Sequence, residues 1–305
     1  MPAKTGQARP STGRSDAAEV DDPIKPMMPR RSRGIARKIQ TWAAAGILVA
    51  VVLSAVLAPI IVPYGPTAMS LSEALQPPSL THPFGTDPLG RDILSRTIYG
   101  ARVSLLVAFC AVLIAGTVGG MLGIVAGYFG GIVDAFIMRL ADVQFSLPAI
   151  ILALFLVGTF GSGLMNLIII LSLANWARFA RVLRSEALSL RMRDYVMLAR
   201  LAGASHLRVI LLHVAPNTLG TFIVLVTLDV GIVIILEATL SFLGLGVQPP
   251  NPSWGTLIAD GRQYLSSAWW IAIFPGLILM MTVLAGNIAG DNLRDRFSPT
   301  LSTRW

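Results

Sequence analysis

The stretch RDYVMLARLAGASHLRVILLHVAPN, residues 193–217, decides how this chain is read. It is charged and helix-prone, and it stands between two long apolar runs. An isolated membrane span needs no such segment; a membrane protein that must touch a soluble machine does. Two short helices are expected. The first, around residues 194–202, sets apolar Val196, Leu198 and Ala199 beside Arg193 and Arg200. Gly203 should end it, because glycine accepts the left-handed geometry of a helix terminus. The second should run from Ser205, a residue type that caps helix starts, to His213. Pro216 restricts the residues before it and marks where the next apolar run begins. A helix lying across the face of a bundle is a rigid lever, and a partner gripping it can turn the helices on both sides.

The rest of the chain is what such a lever would move. Its 305 residues have a mean hydropathy of +0.69 and only 13% charge, which excludes an ordinary soluble domain. A bilayer core takes about 20 apolar residues per helix. Six spans are expected, near residues 42–62, 103–127, 143–158, 164–180, 216–238 and 268–289. The uncharged run 143–177 is too long for one helix, and the turn-forming cluster Gly158-Thr159-Phe160-Gly161-Ser162-Gly163 splits it. The first run reads as a retained helix rather than a signal peptide, since Pro59 follows the small-residue cleavage point at Ala58.

The formal charge of +8 is a topology signal. With six spans both termini share a side. That side holds 20 of the Lys and Arg residues and the other holds 4, which places both termini in the cytoplasm. This distribution argues against nucleic-acid binding and allows contact with anionic lipid. Residues 1–38, rich in Pro, Gly, Ser and charge, should be a disordered basic tail ending in a juxtamembrane stretch at 30–38. Two outer segments, 63–102 and 239–267, carry Pro- and Gly-rich turn chemistry and are expected to be structured loops. The second should fold back toward the membrane through Phe242, Leu243 and Trp254. Gly116, Gly119, Gly120, Gly123 and Gly127 recur at four-residue spacing and should let another helix approach closely. Cys110 stands alone in an apolar run and reads as a small packing residue.

No catalytic constellation is visible. A phosphate-binding Gly-Lys-Ser/Thr loop is absent, so the chain is not itself an ATPase. His82, His206 and His213 lack metal-ligand spacing, and no metal or cofactor is expected on this chain. Charges inside the spans are few. Asp229 and Glu237, eight residues apart in the fifth run, share a helical face. That face is expected either to line a pathway, meeting an amine or a cation, or to fix helix packing. Asn166, Asn175 and Asn287 read as interhelical hydrogen-bond groups.

The frame of Tyr195, Met197, Leu198, Ala199 and Arg200, then Gly203-Ala204-Ser205, then His213 and Pro216, resembles the cytoplasmic loop of binding-protein-dependent ABC importer permeases. That loop is summarised as Glu-Ala-Ala, three residues, Gly, nine residues, Ile, one residue, Leu-Pro. The chain departs from it at Met197, Leu198, His213 and Ala215. Two further stretches sharpen the likeness: residues 82–104, including Asp87, Arg91 and Asp92, and residues 241–255, including Pro249, Pro250 and Trp254. They resemble the peptide-type group that carries dipeptides, oligopeptides or nickel, and within it the second of two paired permeases.

The resemblance implies an all-α polytopic protein of the bacterial cell membrane, with six transmembrane helices in a type I ABC importer permease fold. It implies a first helix at 39–62, an extracytoplasmic loop at 63–101, a permease core at 102–291 with its coupling loop at 183–216, and a tail at 292–305. A sister permease, two ATPase subunits or domains and an extracytoplasmic binding protein would be its partners. The ATPases would use ATP and Mg²⁺ and grip the loop around 193–213. The binding protein would meet Asp87, Arg91, Asp92, Pro249, Pro250 and Trp254. Nickel chelates or glutathione are rival cargoes to peptides. A non-transporting scaffold and a secondary transporter are the other classes, the latter disfavoured by the lack of internal repeats.

Overall fold

The computed structural model describes residues 30–297, with side chains for 38–295. The chain divides into two units, Met1–Lys38 and Ile39–Trp305. Eleven α-helices follow one another among the described residues: α1 (Arg30–Val56), α2 (Ala58–Ile61), α3 (Ile93–Phe129), α4 (Gly131–Phe145), α5 (Ala149–Phe160), α6 (Leu164–Leu190), α7 (Asp194–Leu201), α8 (His206–Val209), α9 (Ala215–Phe242), α10 (Trp254–Gly261) and α11 (Trp270–Phe297). The only β pairing described is an isolated bridge between Thr86 and Asp92.

Five helical runs are long and apolar enough to cross a membrane: Lys38–Val56, α3, α6, His206–Phe242 and the α11 stretch Trp270–Asp295. The sixth span exists only if α4 and α5 count together, and they are bent by 90°. A single third span at 143–158 is therefore corrected. Pro148 supplies no N–H and cannot continue the helix of α4. Ser146 closes that helix instead, its N–H donating to the Asp142 carbonyl at 3.0 Å and its Oγ to the Val143 carbonyl at 2.6 Å. Other boundaries move outward. The second span starts at Ile93, ten residues before the expected 103, because Asp92 caps it. Residues 30–38 and 292–297, expected in tails, are the ends of α1 and α11; residues 1–29 and 298–305 of those tails lie outside the described residues.

The glycine stripe of α3 does what its spacing predicts. A methyl on Gly119, Gly123 or Gly127 would sit 2.1, 2.3 or 2.5 Å from the backbone carbonyls of Trp176, Ala180 and Arg184 respectively. Two helices therefore touch backbone to backbone at three points over about two turns, in matching four-residue register. Between helices in lipid there is little hydrophobic drive, so this close van der Waals contact is the source of cohesion. Around it, Val107, Ala111 and Val112 of α3, Leu167 and Leu171 of α6, and Val233 and Ile234 of α9 form one buried cluster. Cys110 packs partly buried against it.

The segment 239–267 is not a loop throughout. α9 continues to Phe242, and α10 occupies Trp254–Gly261. Ser253 and Thr256 form a reciprocal capping box that starts α10. Trp254 is fully buried, with its Nε1 donating to the Thr97 carbonyl of α3 at 3.1 Å. The segment does fold back onto the bundle, through Trp254, whereas Leu243 stays half exposed.

Candidate functional site

The turn after α7 has a simple cause. Gly203 stands at φ +82°, in the left-handed region, with open space around its Cα. The Gly203 N–H donates to the Arg200 carbonyl at 3.0 Å, and the Ala204 N–H to the Ala199 carbonyl at 3.1 Å. These two bonds make a Schellman cap, which satisfies the last carbonyls of α7 and brings Ala199 and Ala204 together. Both alanines pack on a buried cluster of Ile124 and Tyr128 of α3, Leu183 and Ala187 of α6, Val196 of α7, and Val209 and Val214 beyond the turn. Ser205 then caps α8, accepting from the Arg208 N–H at 3.4 Å.

This segment is tied to the ends of α3 and α6. Arg191 Nη1 donates to the carbonyls of Gly127 and Tyr128 at 3.3 Å each, capping α3 with a cation where its dipole is negative. Tyr128 OH meets His206 Nδ1 at 3.0 Å. His213 instead lies by the Tyr195 ring, 6.2 Å between centroids. The two histidines thus serve different contacts.

One expectation is corrected. The second helix does not end at His213. A wide π turn, Ile210–Val214, carries α8 straight into α9. Pro216 brings no N–H to the ladder, and a wider turn absorbs the lost bond. Asn217 Nδ2 donates to the His213 carbonyl at 2.6 Å in that gap. Likewise, residues 183–190 are the end of α6 rather than loop.

The outward face carries apolar side chains among charged ones. Tyr195, Met197, Leu198, Arg200, Gly203, Ser205 and Pro216 are exposed, while Ala199, Ala204 and His213 are half-buried. Three leucines that sequence reasoning passed over join the exposed set. Leu201 is 83% exposed, and Leu207 and Leu211 follow it beyond the turn. Their signal was present: leucines beside Arg200 and Arg208 in a segment that must leave the membrane.

At the other end of α3, residues 82–96 form a polar knot. Asp87 Oδ1 accepts from the N–H groups of Leu89 (2.8 Å) and Arg91 (2.9 Å), and its Oδ2 accepts from Arg91 Nε (2.5 Å) and Arg96 Nη1 (2.6 Å). Asp92 caps α3 through the Ser95 N–H at 2.7 Å and holds His82 Nδ1 at 3.0 Å. Trp270 Nε1 donates to the Thr86 carbonyl at 3.1 Å, fastening the loop to α11. Asp87, Asp92 and Trp254 are thereby buried, which corrects their expected place on a docking surface. Arg91, Pro249 and Pro250 do come together, with Arg96, Gln248 and Asp260, around a cavity of about 310 Å³.

The two acids of α9 part company. Asp229 is buried and accepts from Arg178 Nη1 of α6 at 2.6 Å. Glu237 is buried and accepts from Ser104 Oγ of α3 at 2.8 Å and Ser241 Oγ at 2.7 Å. Ser104 Oγ also accepts from the Trp254 N–H at 3.3 Å. Glu237 thus joins α3, α9 and α10, the helix-packing alternative that the sequence offered beside a pathway role. Among the described residues no cluster of three His, Cys, Asp or Glu side chains could hold a metal.

Residues 119–303 match the family described as binding-protein-dependent transport system inner membrane component. The chain is 45% identical over 255 residues to a putative peptide transport system permease protein of Brucella suis, covering 84% of this chain and 86% of that one. It is 38% identical to the dipeptide transport system permease protein DppC of Alkalihalophilus pseudofirmus, over 98% of this chain and 100% of that one. Against the nickel transport system permease protein NikC of Escherichia coli K12 it is 42% identical, over 79% and 87%. Long apolar helices and relatives of this extent lead to one conclusion: the chain belongs to the binding-protein-dependent inner membrane components, the non-catalytic, multi-pass permease subunits of ABC importers.

Proposed function

We propose that this permease carries di- and oligopeptides into the cell, and that α7, the Gly203 turn and α8 are where the ATPase subunits grip it. The observation that carries the reading is the apolar outer face of Leu198, Leu201 and Leu207, held on a segment whose inner face, Val196 and Val209, is buried. A surface of that kind binds a groove on a partner. Because the π turn makes α8 continuous with α9, a push on α8 reaches the far end of the bundle through one helix.

The partners are two ATPase subunits or domains, which use ATP and Mg²⁺, a sister permease and an extracytoplasmic binding protein. The charge distribution supports cytoplasmic termini, and so puts the α7 turn inside and residues 63–92 and 243–269 outside. The binding protein would approach Arg91, Pro249 and Pro250. ATP binding closes the ATPases, and the bundle shifts between inward- and outward-open states through their differential binding.

The relatives named for peptides and dipeptides favour peptide cargo, and the one named for nickel supports a second reading, nickel chelates. Uptake of labelled dipeptide, tetrapeptide and nickel in cells with and without the gene separates them. Loss of peptide uptake alone is expected. Loss of nickel uptake alone would replace the cargo and keep the mechanism.

A further inference from the structure

The acid that the sequence offers to a passing cargo is covered. Asp229 is 1% exposed and bonded to Arg178, whose own side chain remains 45% exposed. The register of α3 against α6 fixes the depth of this arginine. It lies between Trp176 and Ala180, whose carbonyls face Gly119 and Gly123. That level is roughly 9–15 Å inside the α3 end at Phe129. Arg178 falls inside the expected span 164–180, and its ion pair reaches across to the middle of α9. Arg181 and Arg184, the next arginines along α6, pair with Asp142 and Asp134 of α4, whereas Arg178 alone of the three reaches across to α9. Ser185 and Ser189, seven and eleven residues further along α6, are exposed too. Those spacings place them on the face of Arg178. Arg178, Ser185 and Ser189 therefore share one face toward the α7 end of the helix, interrupted by half-buried Val182, the course that an aqueous cleft would take.

We propose that Arg178 lines the translocation pathway and receives a carboxylate of the cargo, while Asp229 holds its guanidinium in position. This role rests on the transport reading above. Asp229 Oδ1 engages only Nη1, and the planar fork of an arginine has further N–H groups for a second carboxylate. The pathway then presents a positive group where the sequence suggested a negative one. Peptides and organic nickel chelates both carry carboxylates, so the chemistry is shared by the two cargo readings.

The test uses the assembled importer with its binding protein in proteoliposomes, loaded with ATP, and two probes, a labelled dipeptide and labelled nickel citrate. Arg178→Gln alone leaves Asp229 buried without its cation, so the deciding variant is Arg178→Gln/Asp229→Asn, which removes both charges. It should copurify with its partners at wild-type yield and keep its binding-protein-stimulated ATP hydrolysis. It should lose uptake by about tenfold or more, the size of one charged hydrogen bond. Arg178→Lys should retain an intermediate rate. Restored uptake in the double variant would reduce Arg178 to a counter-ion for Asp229 and overturn the proposal. Failure of the double variant to copurify with the sister permease would assign the open side of Arg178 to that interface, and would overturn it as well. The wild-type lane reads the transport assignment separately: uptake of one probe identifies the source of the carboxylate, and uptake of neither sinks both readings.

Discussion

The two ends of α3 are built on opposite plans. Near Ile93, the loop is closed by charge and hydrogen bonds: Asp87 takes four donors, Asp92 caps the helix, and the two tryptophans Trp254 and Trp270 donate to loop or helix carbonyls. Near Phe129, the anchored segment shows its leucines to the outside and turns on a glycine with nothing around it. An end whose polar groups are used up internally holds its shape by itself. An end that leaves apolar surface open is shaped for something else to cover it. The difference sets a self-contained end against an end with exposed leucines on one helix bundle.

The contrast breaks first at Asp87. Asp87→Ala strips Arg91, Arg96 and two backbone N–H groups of their acceptor, and removing one partner from a buried ion pair costs about 3–5 kcal/mol. Purified complex carrying it should show a large drop in melting temperature or fail to accumulate, and a normal melt would mean that the knot is not structural. Two glycines then sharpen the comparison. Gly123→Val drives a side chain into the Ala180 carbonyl, 2.3 Å from where its Cβ would stand. Overpacking of this kind costs about 1–3 kcal/mol and should appear as a lower melting temperature. Gly203→Val meets no atom, only an unfavourable φ worth roughly 1–2 kcal/mol, confined to an exposed turn. It should lower the melt less than Gly123→Val yet uncouple ATP hydrolysis from uptake; unchanged uptake would remove Gly203 from the mechanism. Gly203→Asn, which tolerates the left-handed region, should be milder in the same assay. The smallest effect on stability belongs to Leu201→Ser, within about 0.5 kcal/mol of wild type for so exposed a side chain. Its uptake should nevertheless fall, and equal uptake would show that the leucine face binds nothing.

What could be read in advance follows from how local the cause is. The Gly203 turn was legible because a Schellman cap needs only the residues beside it. The α3–α6 contact was legible because small residues at four-residue spacing state one half of the interface. The bend at Ser146–Pro148 was not, since the run 143–177 carries no charge and length alone suggested a straight span. α10 had a readable signal, Ser253 followed by Thr256 three residues on, but the prolines before it drew the whole segment toward a loop. Asp87, Asp92 and Trp254 were expected on a docking surface and are buried, because a motif names residues and not which way they face. The pairing of Arg178 with Asp229 spans 51 residues and two helices. Nothing local announces it.

The central claim is that the leucine face around Gly203 meets the ATPase. A photo-cross-linking residue at Leu201, 83% exposed beside the turn, tests it against one at Leu80, fully exposed in the loop at the other end. In the assembled importer, the probe at Leu201 should capture an ATPase subunit and the probe at Leu80 should not. An ATPase adduct at Leu80, or none at Leu201, would contradict the account.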